Sequence, residues 1–350
     1  MEPTLQALGL VPFFSQQLAD ASEEQCLGRV TAVQRASLNV ACADGEKSAA
    51  LSAALQQAPA AQRPTVGDWV VLDNSATLVK RVLQRKGLFK RVGAGQHSDL
   101  QAIAANVDIL FIVTSCNDEF KASRLERYLA LAAEAGAMPV VVLTKADLTG
   151  NAEHYAELAR ACQPGLAVET VNALDPSSLS GLRAWLDRTA TVALVGSSGV
   201  GKSTLLNTLA GQPLTATGGI REQDAKGRHT TTHRQLHPLP GGGLLIDVPG
   251  MRELRVADVE QSLSTVFADI EELASHCKFT DCQHHGEPGC AVQKAIANGE
   301  LDYRRLANYQ KLHRENAQAN ASLAQKRAQG RTFAKMVKAV KRNKATYQDE

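Results

Sequence analysis

Thr191-Val192-Ala193-Leu194-Val195-Gly196-Ser197-Ser198-Gly199-Val200-Gly201-Lys202-Ser203-Thr204 is an apolar run that breaks into G-x4-G-K-S and then enters a helical pattern over 203–210. Strand, glycine turn and helix in that order make a phosphate loop. The glycines let backbone N–H groups of Gly196, Ser197, Ser198, Gly199, Val200 and Gly201 turn inward around an anion, and the helix N-terminus adds its positive end. Lys202 then reaches the terminal phosphates, Ser203 ligates Mg2+, and Thr204 opens the helix beside them.

Working outward, a second apolar run at 244–246 leads into Asp247-Val248-Pro249-Gly250. A carboxylate at the C-terminal end of a strand in an open parallel sheet stands where ligands bind, so Asp247 is the expected magnesium aspartate and Gly250 the expected γ-phosphate contact. Upstream, Thr144-Lys145-Ala146-Asp147 follows another buried run at 140–143. A carboxylate there accepts from N1–H and the 2-amino group of guanine, donors that adenine does not offer in that arrangement. GTP is therefore expected over ATP. Further runs at 107–113 and 124–135 fit a buried strand and an amphipathic helix, and strands alternating with helices mean a parallel sheet.

Nearer the N-terminus, short β-like runs at 28–30, 38–42, 68–72 and 78–79 alternate with Gly, Pro and Asn, a spacing that suits a small closed barrel of OB type. The Ala/Gln-rich stretch 49–62 is expected as a loop or short helix, and the basic stretch 85–95 as a connector. Trp69 either stacks on a base or fills the barrel core, with the core favoured. Residues 1–24 carry no functional expectation.

Cys277-x4-Cys282-x-His284-x5-Cys290 offers three thiolates and an imidazole within fourteen positions, the donor set of a closed, structural Zn2+ site. His276 and His285 compete with His284 for the imidazole role. Seven cysteines in all, four of them scattered, argue against a disulfide scaffold.

The chain has 350 residues, 44% hydrophobic and 21% charged, which excludes global disorder and allows two or three domains. No apolar run approaches the roughly 18 residues of a membrane span, and the first Lys or Arg is Arg29, so a cytoplasmic protein without a membrane role is expected. Net charge is +2, yet 303–350 holds 12 Lys/Arg against 3 acids. That end wants a polyanion. Within it, Phe333, Met336, Val337 and Val340 form an apolar helical stripe, with Arg331, Lys335, Lys338, Lys341 and Arg342 on other faces to meet phosphates.

The three nucleotide motifs occur in the order base, phosphate loop, magnesium, which is permuted relative to Ras-like GTPases. Together with Gly67-Asp68-Trp69-Val70, Arg124-Leu125-Glu126-Arg127-Tyr128-Leu129, Gly227-Arg228-His229-Thr230-Thr231-Thr232 and the cysteine cluster, they resemble the circularly permuted RsgA (YjeQ/EngC) family over roughly residues 25–310. Thr144 stands where the base motif usually has Asn. Asn172, in Val171-Asn172-Ala173, stands where the loop that meets the purine carbonyl usually has Ser.

The motifs and the resemblance together are read as four parts: an N-terminal extension (1–24), an OB-like β-barrel (25–92), a circularly permuted α/β P-loop GTPase domain (93–256) and an α-helical zinc-binding and basic domain (257–350). For function, the resemblance implies a GTP-hydrolysing switch, acting as a monomer, that binds the small ribosomal subunit and its rRNA and assists late maturation. Its cofactors are one structural Zn2+ and Mg2+ with GTP. Met251 occupies the place where many GTPases carry a water-orienting Gln, so intrinsic hydrolysis is expected to be slow and stimulated by the subunit. His229 is the expected water-positioning group, and Thr230 or Thr231 the second magnesium ligand. The rival expectation is an RNA-binding module whose nucleotide is structural and not turned over.

Overall fold

The structure is a computed structural model that describes residues 4–18, 26–34, 37–92, 100–186, 189–214, 234–247 and 259–321. After a short helix α1 (Pro12–Ser15), five strands follow: β1 (Cys26–Val33), β2 (Leu38–Cys42), β3 (Gly45–Leu51), β4 (Trp69–Leu72) and β5 (Leu78–Val82). Neighbours pair in the order β1-β2-β3-β5-β4, and β4 returns to β1, with Arg29 opposite Trp69, so the sheet closes on itself. All these pairings are antiparallel except β3 with β5. Closure removes the exposed strand edges. Val30, Val40, Val70, Leu72 and Val79 fill the interior.

The stretch 49–62 divides. Ala49, Ala50 and Leu51 complete β3, and only Ala53–Gln57 is helical (α2), capped by the Ser52 hydroxyl. Small Ala and Ser side chains hide the alternation of a strand. Trp69 is fully buried in a cluster with Leu8 and Phe14, so it is core and offers no face to a base. Asp68 beside it, also buried, takes a forked bond from Arg85 at 2.7 and 2.8 Å. Gly67 has φ +88°, and a Cβ there would stand 2.2 Å from the Ala105 carbonyl oxygen. The Gly-Asp-Trp segment thus clamps the barrel to the chain that follows.

That chain is no plain connector: β6 (Leu88–Val92) and β7 (Leu100–Ala105) form an antiparallel hairpin separate from the barrel. Next come β8 (Ile109–Ser115), α3 (Ala122–Glu134), β9 (Met138–Thr144), α4 (Ala152–Arg160), β10 (Ala167–Thr170), α5 (Ser180–Ala184), β11 (Thr191–Val195), α6 (Lys202–Ala210), β12 (Gln235–Pro238) and β13 (Leu244–Asp247). The sheet order is β10-β9-β8-β11-β13-β12, parallel up to β13, with β12 antiparallel at the edge. From β8 the chain moves outward on one side to β9 and β10, then crosses to β11 on the other. The switch point is therefore the gap between the C-terminal ends of β8 and β11, where such sheets bind ligands.

Gln235 of β12 pairs with Ala32 of β1, joining barrel and parallel sheet. Arg29 rivets the same junction from within, donating to Leu8 O at 2.6 Å, Gly67 O at 3.2 Å, Asn106 O at 3.4 Å and Thr191 Oγ1 at 2.8 Å. Burial pushes its guanidinium down to about 10, against the opposing pull of Asp108 and Asp68.

Beyond the sheet lie α7 (Glu260–Val266), α8 (Ala268–Ser275), α9 (Ala291–Ala297) and α10 (303–321). Leu263, Phe267 and Leu312 pack in one core with Leu110 of β8 and Leu125 and Leu129 of α3. The basic stripe of 331–342 lies outside the described residues.

Candidate nucleotide and metal sites

The phosphate loop leaves β11 at the switch point and enters α6. Gly196, Gly199 and Gly201 take φ of +149°, +76° and +93°. A Cβ on Gly196 would stand 2.1 Å from the Val113 carbonyl oxygen of β8, so only glycine lets the loop lie against that strand. Val200 is buried and anchors the loop, while Ser198 and Gly199 are exposed at its crest. Lys202 Nζ donates to the Ser197 carbonyl, folding across the loop it serves. Ser203 and Thr204 follow at the first turn of α6.

The two base loops stand beside it. Thr144, buried at the end of β9, donates its hydroxyl to the Val200 carbonyl at 2.5 Å, tying the base motif to the phosphate loop. Lys145 takes the left-handed conformation at φ +58° and starts a 3-10 turn that holds Asp147 exposed. Asn172 Oδ1 accepts from Leu174 N at 3.0 Å, and Asn172 N donates to Ser178 Oγ at 2.8 Å. A small polar residue must close that turn, and Asn does so as Ser can. Thr208 Oγ1 of α6 donates to the Ala173 carbonyl at 2.7 Å, so this loop too is pinned to the helix that follows the phosphate loop.

Sequence reasoning passed over two residues here. Leu148 and Leu174 directly follow Asp147 and Ala173, and each is 76% exposed. Two such leucines flanking the base loops offer apolar surface to a planar ring. Their signal lay in an apolar side chain following a polar loop. Arg124 was also missed as a site residue. From the first turn of α3 its Nη1 donates to the Ser197 hydroxyl.

Asp247 is the last residue of β13, at the C-terminal end of that strand, two strands from β8. The remaining switch residues, His229, Thr230, Thr231, Gly250 and Met251, lie outside the described residues.

The cysteine cluster comes together in space. Cys277, Cys282, His284 and Cys290 place their donor atoms within 4.8 Å of one another. Cys277 Sγ is 3.9 Å from Cys290 Sγ, and His284 Nδ1 lies 3.7 and 3.4 Å from those two sulfurs. Ligands about 2.3 Å from a tetrahedral Zn2+ stand about 3.8 Å apart, so the donors fit that ion, and four of them leave no position for water. His284 adopts φ +60° to aim its ring inward, and Gln293 Nε2 holds its carbonyl at 2.5 Å. His276 instead turns back to the Glu272 carbonyl at 3.0 Å, and His285 is exposed, so neither competes.

A family model described as RsgA GTPase matches residues 82–257. A Vibrio parahaemolyticus protein, small ribosomal subunit biogenesis GTPase RsgA 2, is 49% identical over 341 residues, covering 97% of this chain and 93% of its own. A Mesorhizobium japonicum protein, small ribosomal subunit biogenesis GTPase RsgA, is 50% identical over 317 residues, or 90% of each chain. The crystal structure of YjeQ from Thermotoga maritima superposes with a TM-score of 0.61 at 26% identity, covering 82% of this chain and 97% of that one. YloQ, a circularly permuted GTPase, shares the fold with a TM-score of 0.55 at 24% identity, covering 83% and 94%.

Proposed function

The chain belongs to the RsgA GTPase family and is a GTPase, and from that premise we propose that it is a GTP-driven switch that binds the small ribosomal subunit and assists its late maturation. The observation that carries this reading is the hydrogen bond from Thr144 to Val200, which joins a base loop and a phosphate loop at one switch point despite the permuted order. The names of the relatives supply the subunit as partner.

In this reading Lys145 and Asp147 hold the guanine, with Asp147 accepting from its ring N–H and amino donors, and Asn172 and Ala173 present the amide that meets the purine carbonyl. Gly196 to Gly201 wrap the phosphates, and Lys202 leaves the Ser197 carbonyl for them. Ser203, Asp247 and one of Thr230 or Thr231 hold Mg2+, which when bound neutralises charge on the β- and γ-phosphates. Gly250 meets the γ-phosphate. His229 orients the attacking water, because Met251 has no polar atom to do so. Cys277, Cys282, His284 and Cys290 hold Zn2+ as a staple for a stretch too short to build its own core.

The four-part division at residues 24, 92 and 256 belongs to this proposal, with the β6–β7 hairpin at the seam of the second and third parts. No helix among the described residues is long and apolar enough to cross a membrane. A monomer working in the cytoplasm on rRNA completes the reading. Co-sedimentation with small subunits, across a salt series and with GDP or a non-hydrolysable GTP analogue, tests it. The analogue should bind subunits more tightly than GDP. Deleting 331–350 should weaken binding and flatten its salt slope, since phosphate contacts by Arg331, Lys335, Lys338, Lys341 and Arg342 are lost. Equal binding in both nucleotide states rules out the switch.

A further inference from the structure

One turn of α3 carries three charged side chains that reach in two directions. Positions two apart on a helix do not share a face, so Arg124 and Glu126 point away from each other. Arg124 Nη1 donates to the Ser197 hydroxyl, whose own carbonyl receives Lys202. Glu126, with no exposed surface, accepts from Arg304 Nη1 at 3.1 Å, Arg305 Nη1 at 3.0 Å and Asn308 Nδ2 at 2.5 Å, all on α10. Arg127 forks onto Glu315 of α10 at 2.7 and 2.9 Å. Arg305 also forks onto Asp269 of α8 at 2.6 and 2.8 Å and lies over the Phe267 ring at 4.9 Å.

A carboxylate without solvent is tolerable only while its partners stay in place. Among the described residues the cations that meet Glu126 are Arg304 and Arg305, both on α10, so α10 cannot slide on α3 without stranding a buried charge. The two helices therefore move together. Two residues before Glu126, the same helix touches the phosphate loop through Arg124, and that loop must rearrange when Lys202 exchanges the Ser197 carbonyl for phosphates.

We infer that Arg124 is a positioning residue of the phosphate loop, held in place by the seating of α10 on α3, so that nucleotide and C-terminal helices bias each other through α3. This inference rests on the phosphate loop being the nucleotide site. Arg124 acts through the Ser197 side chain, steadying the loop while Lys202 moves. Coupling of this kind is reciprocal: what the nucleotide does to α10, a change at α10 does to nucleotide affinity by the same factor.

The test uses the zinc-loaded full chain, with binding of GDP and a non-hydrolysable GTP analogue measured beside hydrogen exchange over 303–321. In the parent protein the analogue should change exchange across that helix. Arg124→Ala should weaken analogue binding about fivefold or more and abolish the nucleotide effect on 303–321, with zinc content and melting temperature unchanged, and Arg124→Lys should restore part of both. Arg127→Ala, at the far end of the route, should loosen 303–321 and shift nucleotide affinity in the same direction. The exchanged pair Arg127→Glu with Glu315→Arg should recover it. Arg124→Ala with intact affinity and an intact nucleotide effect overturns the inference, as does an Arg127→Ala that loosens the helix without moving nucleotide affinity. Lys202→Ala is the control: parent-like nucleotide binding there removes the phosphate-loop reading itself.

Discussion

Thr144 and Val200 are 56 residues apart, and the hydroxyl of the first donates to the carbonyl of the second at 2.5 Å. The bond fixes how far the base loop stands from the phosphate loop, which is the distance a bound nucleoside phosphate must span. It also explains why Thr serves where Asn is usual: the position needs a short donor that reaches the loop carbonyl, and a hydroxyl at the end of β9 does.

Thr144→Val keeps the shape and removes the donor. GDP and GTP affinity should both fall about 5- to 10-fold, the value of roughly 1 kcal/mol for one neutral hydrogen bond. Thr144→Asn should lose less. Titration of a fluorescent guanine nucleotide checks this, and an unchanged affinity for Thr144→Val means the loops are held together by packing alone.

Asp147→Asn turns an acceptor toward donors into a partial donor. Guanine binding should weaken by about 2 to 4 kcal/mol through loss of the charge-assisted pair. Competition with ATP reads the specificity directly, and ATP binding the parent protein as tightly as GTP contradicts the base assignment.

His229→Ala should leave GTP affinity nearly intact while turnover falls by roughly 10- to 10^4-fold, the range for losing a water-positioning or acid–base group. Turnover must be measured with ribosomal subunits present. If it is unchanged, the partner supplies the group.

Stripping the metal with a strong chelator should lower the melting temperature and open 276–291 to trypsin at Lys278, because the staple is lost and only His284 and Cys290 are buried in that stretch. Zn2+ should reverse both effects and Mg2+ neither. Metal analysis at one zinc per chain, falling to none in Cys282→Ser, checks the donor set.

The parallel strands were legible because β8, β9 and β11 are buried on both faces and so read as unbroken apolar runs such as Val140-Val141-Val142-Leu143. The β6–β7 hairpin was not. Lys90 and Arg91 lie together in β6, and such charge reads as a connector until the pairing of Phe89 with Ala104 is seen. The phosphate loop and the metal donors declared themselves by local spacing, since all their parts lie within a few residues. Glu126 with Arg304 and Arg305 could not, for those partners are 178 and 179 positions apart and each charge alone looks like solvated surface. Arg124 was visible as a member of Arg-Leu-Glu-Arg-Tyr-Leu, but only the fold shows that it meets Ser197.

Multiple-turnover hydrolysis of GTP, with and without purified small ribosomal subunits, bears most directly on the switch. Because Met251 cannot orient water, the chain alone should turn over slowly, and saturating subunits should raise the rate at least tenfold while Lys202→Ala remains inactive in both conditions. A chain that binds subunits and retains one nucleotide without turning it over, whether subunits are present or not, contradicts the account and leaves an RNA-binding module with a structural nucleotide.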